Sequence, residues 1–358
     1  GAQNLSVAGT FKWDDGLVSG GTGGTGFTTS GTVELLNGIL STDWTITSTG
    51  VVNWLGDSFN KLTITNATIT NEGRFNIRSA VATGSNSQAQ LPDTAGRDFS
   101  TSIGAIFINK GGLILGDLTG NNLDPIIFNL DFTNDGGSIG ILSGTFKITD
   151  AQNNPVDLLL NTGSVLQGFG TFEGNVVNAG GVVTPGRDAL GLADTGTLTV
   201  NGNFTQLNGG ALNVNLDSTI DGLLNSELAV TGQMTAGGDI NFNIINGKSA
   251  TQLALLLDQS FSPISYGSFA GKFASVSVPA ALNFSFSDTG EVTIGSSNQQ
   301  LINISNQLQD LISRDELSFV DIVDAMKFID SKSRVSVRVE DDAEDDDEDK
   351  RAPKLVCK

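Results

Sequence analysis

The sequence predicts an all-β chain folded as a right-handed parallel β-helix, a form of β-solenoid, with a short C-terminal helical cap. Three observations favour this fold. The 358 residues include 45 glycines and 20 phenylalanines, and only 16 % are charged, a composition typical of short strands joined by tight turns. Short apolar/polar alternations recur along most of the chain, and a Gly-x-apolar motif begins many of them.

The Gly-x-apolar motif repeats imperfectly, with a period of roughly 20 residues near the N-terminus. Its predicted positions are Gly9, Gly31, Gly50, Gly73, Gly104, Gly163, Gly196, Gly210, Gly238 and Gly271. One coil of a solenoid cannot bury its own inward side chains, so coils stack and share a continuous core. We therefore expect an elongated domain over residues 1–296, with Phe11, Val33, Val52, Phe75, Val200 and Phe204 pointing inward. A β-sandwich or a propeller also uses many short strands, but neither repeats such a turn this often.

The pattern changes after residue 296. Helical apolar spacing is present in two segments, and Ser313 and Glu316 form a capping-box arrangement between them. The apolar positions are Leu301, Ile304, Leu308, Leu311, Ile312, Phe319, Ile322, Val323, Met326 and Ile329. Residues 297–332 are therefore predicted to be an amphipathic helical element that either caps the last coil or docks on a secretion or anchoring partner. Residues 333–358 are predicted to be an edge strand, at Val335, Val337 and Val339, followed by an acidic, flexible tail.

Charge and residue types restrict the function. The formal net charge is −20, whereas nucleic-acid binding requires a basic face, so no nucleic-acid partner is predicted. No apolar run approaches the ~18 residues of a transmembrane helix, so we do not expect the chain to span a membrane by a helix. The chain has no histidine and one cysteine, Cys357, which excludes the usual Ser-His-Asp triad and Cys-rich zinc sites. The role of Cys357, as a free thiol or a link to another chain, stays open.

No catalytic, cofactor-binding or metal-binding residue is predicted. The glycine-rich stretch at 20–26 lacks the Lys-Ser/Thr of a phosphate loop and is interpreted as a turn. Asp131 with Asp135, or Asp93 with Asp98, would be the acid pairs of a polysaccharide-acting β-helix enzyme if stacking brought them together. The rod contains few arginines to accompany them, at positions 74, 78, 97 and 187. The acidic run at 340–349 is a candidate for weak Ca²⁺ binding, although it lacks the spacing of a calcium loop.

Residues 163–216 resemble the C-terminal part of bacterial autotransporter passengers and related haemagglutinin-like secreted adhesins. The resemblance is carried by Gly170-Thr171-Phe172, Gly174-Asn175-Val176, Thr184-Pro185-Gly186 and the run from Gly196 to Phe204. It implies the C-terminal part of a larger exported chain, non-catalytic and displayed extracellularly or on the bacterial cell surface. The alternating strands of a membrane barrel are not found after the repeats, so the resemblance points to a helper pore or another secretion route.

Two functions from different classes therefore stay open beside the enzyme alternative. In the first, the protein is an adhesin that contacts an extracellular ligand. In the second, it is a self-associating structural subunit of a fibre or coat, whose partners are neighbouring copies of itself. The insertion between Ile77 and Ile103 breaks the repeat period and is a candidate binding element, because solenoids place insertions on one face.

Overall fold

A computed structural model shows an all-β chain in which no helix is found among the described residues. It describes residues 5–19, 26–36, 38–54, 62–64, 66–77, 97–98, 105–116, 125–150, 154–186, 194–219, 222–246, 260–278, 283–286, 292–295, 337–340 and 354–357. The predicted helices at 301–329, the acidic residues 341–353 and most of the insertion after Ile77 lie outside these ranges. The helical cap therefore stays a prediction.

The strands are short along most of the chain. Those before the long insertion are β1 (Leu5–Val7), β2 (Thr10–Trp13), β3 (Leu17–Ser19), β4 (Phe27–Thr29), β5 (Thr32–Leu35), β6 (Gly38–Ser41), β7 (Trp44–Ile46), β8 (Val51–Trp54), β9 (Leu62–Ile64), β10 (Thr68–Asn71) and β11 (Arg74–Ile77). The next are β12 (Arg97–Asp98), β13 (Ile106–Asn109), β14 (Gly112–Leu115), β15 (Ile126–Asn129), β16 (Asp131–Asn134), β17 (Ser138–Ile141), β18 (Thr145–Thr149), β19 (Leu158–Leu160), β20 (Val165–Gly168), β21 (Thr171–Glu173), β22 (Val176–Asn178) and β23 (Val182–Pro185).

The strands that follow include several longer ones. They are β24 (Thr197–Asn201), β25 (Phe204–Gln206), β26 (Ala211–Thr219), β27 (Gly222–Asn225), β28 (Glu227–Ala236), β29 (Asp239–Asn246), β30 (Ser260–Phe261), β31 (Ile264–Gly271), β32 (Ser275–Ser277), β33 (Asn283–Phe286), β34 (Val292–Gly295), β35 (Val337–Glu340) and β36 (Lys354–Cys357). The long strand β28 pairs with both β24 and β25, so it continues two strands of the preceding coil.

Four sheets are formed by strands from successive coils. Sheet I has the order β1-β4-β7-β10-β13-β16, and sheet II runs β2-β5-β8-β11-β14-β17-β20-β23-β26-β29-β32 with β27 beside β26. Sheet III is β3-β6-β9, and sheet IV runs β12-β15-β18-β21-β24-β28-β25-β22-β19 with β31 beside β28. The registers described within these sheets are parallel, except for the β26–β27 hairpin. This stacking of parallel strands is that of a β-solenoid, as the sequence predicted.

The chain divides into two compact units. The first contains residues 1–214, 226–241 and 264–276, and it holds most of the parallel strands. The second contains residues 215–225, 242–263 and 277–358. In the second unit, β30, β34 and β33 form an antiparallel sheet, and β35 pairs antiparallel with β36. Val337 and Val339 of the predicted edge strand lie in β35. Residues 354–357, which were predicted to belong to a flexible tail, form strand β36.

The core of the first unit is a column of stacked side chains. Phe11, Val33, Val52 and Phe75 occupy equivalent register positions in four successive coils, and Val33, Val52 and Phe75 are fully buried. Val200 and Phe204 are also fully buried, which confirms the predicted inward positions. Phe11 points inward but is only half-buried, because β2 is the end strand of its sheet.

Aromatic rings extend this column along the stack. Phe27, Trp44, Phe75, Phe107 and Phe128 lie in successive contact, with centroid distances between 4.8 and 6.1 Å. The series continues through Phe146 to Phe172 at 5.1 and 5.7 Å. Ring pairs at these distances add to the stabilisation from burial alone.

The glycine repeat is real but its register differs from the prediction. The residue immediately before each sheet II strand from β2 to β29 is Gly9, Gly31, Gly50, Gly73, Gly111, Gly137, Ser164, Gly181, Gly210 or Gly238. We call this set the glycine column. Gly163 precedes its one serine, Gly196 precedes a sheet IV strand, Gly271 ends β31, and Gly104 lies outside the described residues.

Close packing explains why the column is glycine. A Cβ on Gly31 would overlap the carbonyl oxygen of Gly9, and one on Gly73 would overlap that of Gly50. Neither Gly31 nor Gly73 has a positive φ, so the requirement for glycine at these two positions is steric and comes from the neighbouring coil. The sequence gives the motif, but the motif alone does not identify which glycines belong to the column.

Candidate binding surface

The connections between strands are uneven around the coil. We call the connection that enters each sheet II strand the first corner and the connection that leaves it the second corner. First corners contain two to four residues in every coil from β1–β2 to β31–β32. Second corners range from two residues up to the 19 between Ile77 and Arg97, and those after β8, β14 and β23 are also long. The predicted insertion is therefore one of several long connections that leave from the same corner.

Buried amides close the first corner. The strands that enter it end at Asn71, Asn109 and Asn134. Asn71 and Asn109 are fully buried, and Asn134 is 3 % exposed. Asn71 Nδ2 donates to Asn109 Oδ1 at 2.9 Å, and Asn109 Nδ2 donates to Asn134 Oδ1 at 2.7 Å. Asn71 Nδ2 and Asn109 Nδ2 also donate to the backbone carbonyls of Gly112 and Ser138, respectively, in the next coil. Asn134 Nδ2 donates to the backbone carbonyl of Gly137 in its own turn. This amide ladder supplies side-chain donors to backbone carbonyls at the corner and links successive coils.

The ladder continues after an interruption. Asn178 Nδ2 lies 3.4 Å from Gln206 Oε1, and Gln206 Nε2 donates to the carbonyls of Gly237 and Asp239 at 2.9 and 2.8 Å. The Oδ1 atoms of Asn71 and Asn178 are buried without a partner among the described residues. Their register neighbours in the preceding coil are Ile46 and Leu160, which carry no donor.

Asparagine thus acts at the corners by hydrogen bonding. Asn66, with a φ of 48°, is the one non-glycine residue with positive φ in the described ranges. The signal for the ladder was the recurrent Asn or Gln shortly before a glycine of the column, as in Asn71-Glu72-Gly73.

The outer face of sheet IV carries a row of threonines. Thr145, Thr171 and Thr199 are register neighbours with half-buried side chains. Beside this row, Lys147 Nζ lies 2.7 Å from Glu173 Oε1, and Thr231 Oγ1 donates to Asn201 Oδ1 at 3.0 Å. Short side chains in fixed register present hydroxyl and methyl groups at the strand spacing of ~4.8 Å. We call Thr145, Thr171 and Thr199 the threonine row.

A comparable column lies on the outer face of sheet I. Ser6, Thr28, Thr45 and Thr70 follow one another in register, and Ile108 and then Thr133 continue the column. These outward positions alternate with the buried core residues of the same strands. First corners join sheet I to sheet II as far as β17, and sheet IV to sheet II thereafter. The long second corners after β11, β14 and β23 lead into sheet IV.

Of the two acid pairs considered for an enzyme, one lies wholly within the described residues, and stacking does not bring its members together. Asp131 and the residue after β16, Asp135, lie four positions apart along one chain segment, which corresponds to ~13 Å at the rise of an extended strand. Asp135 Oδ2 instead lies 3.6 Å from Lys110 Nζ, and Asp131 is exposed. Asp98 belongs to β12, and Asp93 lies outside the described residues. Arg74 is exposed on sheet II, Arg97 lies in β12, and Arg78 and Arg187 fall outside the described ranges.

Metal and membrane features were sought in the same residues. No group of three or more acidic or cysteine side chains suited to a metal occurs in the described part of the chain. The proposed weak Ca²⁺ site, apart from Glu340, and the glycine-rich stretch before Gly26 lie outside the described ranges. Among the described residues there is also no helix with the length and apolarity needed to cross a membrane.

The chain was compared with known proteins by sequence family, by individual protein and by structure. No family model, no curated protein and no solved structure matches it. The geometry of the corners and sheets therefore provides the basis for the proposed function.

Proposed function

We propose that this chain is a surface-displayed, non-catalytic bacterial adhesin, with its first unit wound as a right-handed β-helix. The observation that carries the proposal is the asymmetry of the coil. One corner is closed by glycines and buried amides, and the other carries the long connections, three of which lead into sheet IV. Solenoids use such a variable side for binding, since insertions there do not disturb the stacked core.

Right-handed winding is part of this proposal. Parallel strands joined by crossover connections are right-handed in nearly all known cases, because the twist of the strands favours that direction. The short first corners and the twisted parallel sheets II and IV provide the same conditions. An experimental structure with left-handed coils would contradict it.

The threonine row suits a large, repetitive ligand. Deep pockets suit small molecules, whereas a flat face with short side chains makes many weak contacts over a long distance. When many copies are displayed together, weak contacts combine into strong attachment. The ligand class we propose is therefore an extended polymer or matrix on another cell, and the contact face is sheet IV with the second corner.

The test uses beads coated with the purified full chain. Their retention is measured on bacterial cells, on cultured epithelial cells and on collagen-coated surfaces, against albumin-coated beads. The variant T145Q/T171Q/T199Q lengthens the threonine row without adding charge, and we expect retention on the bound surface to fall by about tenfold.

The matched control changes the other outer face. T28Q/T45Q/T70Q makes the same chemical change on sheet I and should leave retention near that of the unmodified chain. Equal loss in both variants, or no retention above albumin on any of the three surfaces, would contradict the proposal. Release of reducing sugar ends from a polysaccharide substrate would support the enzyme alternative instead.

A further inference from the structure

Two Asn-Gly dipeptides lie wholly within the described residues, at Asn201-Gly202 and Asn208-Gly209. Both asparagine side chains are exposed to solvent. In such a dipeptide, the backbone nitrogen of the glycine can reach the side-chain amide carbon of the asparagine and close a five-membered ring. Glycine favours this closure, because it has no Cβ to shield the nitrogen or to restrict the backbone. The structure holds the two dipeptides very differently.

Asn208 and Gly209 are the two central residues of an exposed turn. The N–H of Gly210 donates to the carbonyl of Leu207 at 3.1 Å, and Gly209 has a φ of 95°, as the third residue of a type II turn requires. An added Cβ on Gly209 would have only the Cα of Gly180 near it, at 3.9 Å. Within the described part of the chain, the Asn208 side chain and the Gly209 N–H have no hydrogen-bond partner. The dipeptide can therefore change conformation without breaking contacts to a neighbouring coil.

Asn201 and Gly202 are held between coils. Asn201 Oδ1 accepts from Thr231 Oγ1 at 3.0 Å, and the Asn201 carbonyl accepts from the N–H of Gly174 at 3.2 Å. The Gly202 carbonyl accepts from the N–H of Gly232 at 2.9 Å. A Cβ on Gly202 would overlap the carbonyl oxygen of Gly174, so the two backbones are in close contact there. Ring closure at Asn201 therefore requires local opening of the stack, which costs free energy.

We propose that Asn208 is a site of spontaneous deamidation and that the coil stack protects Asn201 from the same reaction. The backbone nitrogen of Gly209 attacks Cγ of Asn208, and the new N–C bond closes a succinimide ring. The bond from Cγ to the side-chain nitrogen breaks, and that nitrogen leaves as ammonia with the proton of the Gly209 N–H. Water then opens the ring at either carbonyl and leaves an aspartyl or an isoaspartyl residue at position 208. Water is the one co-reactant.

The product differs from the original turn in charge and in backbone length. The new carboxylate adds one negative charge to a chain whose formal net charge is −20, and the isoaspartyl form adds one carbon to the backbone. The turn joins β25 to β26, whereas the threonine row lies on β18, β21 and β24. The inference is therefore independent of the proposed adhesion.

The test is peptide mapping by mass spectrometry of the folded full chain after incubation in warm, mildly alkaline buffer. Chymotrypsin cleavage after Phe204 places the two dipeptides in different peptides, and the fraction of each in which the amide has become a carboxylate is measured. We expect Asn208 to convert at least ~10-fold faster than Asn201, because Asn208 reacts without local opening. The variant N208Q should show no conversion at this position and should keep the circular dichroism of the unmodified chain.

The matched control is the same chain unfolded in urea. No coil then restrains either dipeptide, so Asn201 and Asn208 should convert at rates within about twofold of each other. Equal rates in the folded chain, or no conversion of Asn208 in the folded chain, would overturn the proposal. Loss of bead retention in the adhesion test would leave these outcomes unaffected.

Discussion

Single side chains at the first corner determine how closely the coils can stack. Glycine allows close stacking because a neighbouring carbonyl occupies the space of a Cβ, and in several coils a buried Asn donates to the next coil. The two are complementary: the glycine brings the backbones together, and the amide then links them. Where the amide column is interrupted by Ile46 or Leu160, a buried Oδ1 atom is left unpaired.

Replacing Asn109 by Ala tests the ladder. The change leaves Asn134 Oδ1 without its donor and removes one acceptor from Asn71, so we expect the free energy of unfolding to fall by about 3 kcal/mol. Urea denaturation followed by circular dichroism measures this. The control is N161A, because Asn161 is exposed, and it should change stability by at most ~0.5 kcal/mol. Similar losses in both variants would show that the buried amides are not essential.

At the scale of the strand, alternation separates core from surface. In β24, Leu198 and Val200 are fully buried, whereas Thr199 between them faces outward. The same alternation holds in β25, where Phe204 and Gln206 point inward. Because the side-chain period of a strand is two, a single position decides whether a substitution removes core or surface.

Phe204 and Thr199 provide a matched pair for this rule. Phe204→Ala should reduce the free energy of unfolding by ~3–5 kcal/mol, through lost burial and a cavity between coils. Thr199→Ala should change it by no more than ~0.5 kcal/mol, because its side chain packs only on the outer face. Chemical denaturation of the two variants gives the comparison. Equal costs would mean that the assigned inward and outward positions are wrong.

At the scale of the first unit, the described interior strands of sheets I, II and III pair on both sides, whereas β1, β2 and β3 pair on one side among the described strands. Stability in such a stack is a sum of coil and interface contributions, so a coil with one interface is the weakest. The short strands β1 and β3 depend on β4 and β6 alone for pairing. The interior strands β11 and β14 have a partner on each side.

Hydrogen exchange should reveal this gradient. At low protein concentration, amides of β11 and β14 should exchange at least ~100-fold more slowly than those of β1 and β3, because local opening costs least at an uncovered end. Mass spectrometry of peptic fragments resolves these segments. Uniform exchange along the stack would contradict the nearest-neighbour description.

Much of the fold was determined by the sequence. Period-two alternation assigned the buried faces, and Val33, Val52, Phe75, Val200 and Phe204 all lie inward as predicted, because apolar burial drives every coil in the same way. The glycine repeat predicted stacked parallel coils. The repeat was informative because short strands joined by tight turns bury their apolar side chains mainly by stacking on neighbouring coils.

Only the tertiary structure decided which residues meet between coils. The strand register assigned Gly111, Gly137 and Gly181 to the glycine column and placed Gly196 in another sheet. It also joined Asn71 to Asn109 across 38 residues. These contacts depend on the lengths of the connections in each coil. A local sequence pattern cannot predict these contacts between coils. An added residue at a second corner changes the sequence separation of two residues without changing which strands pair.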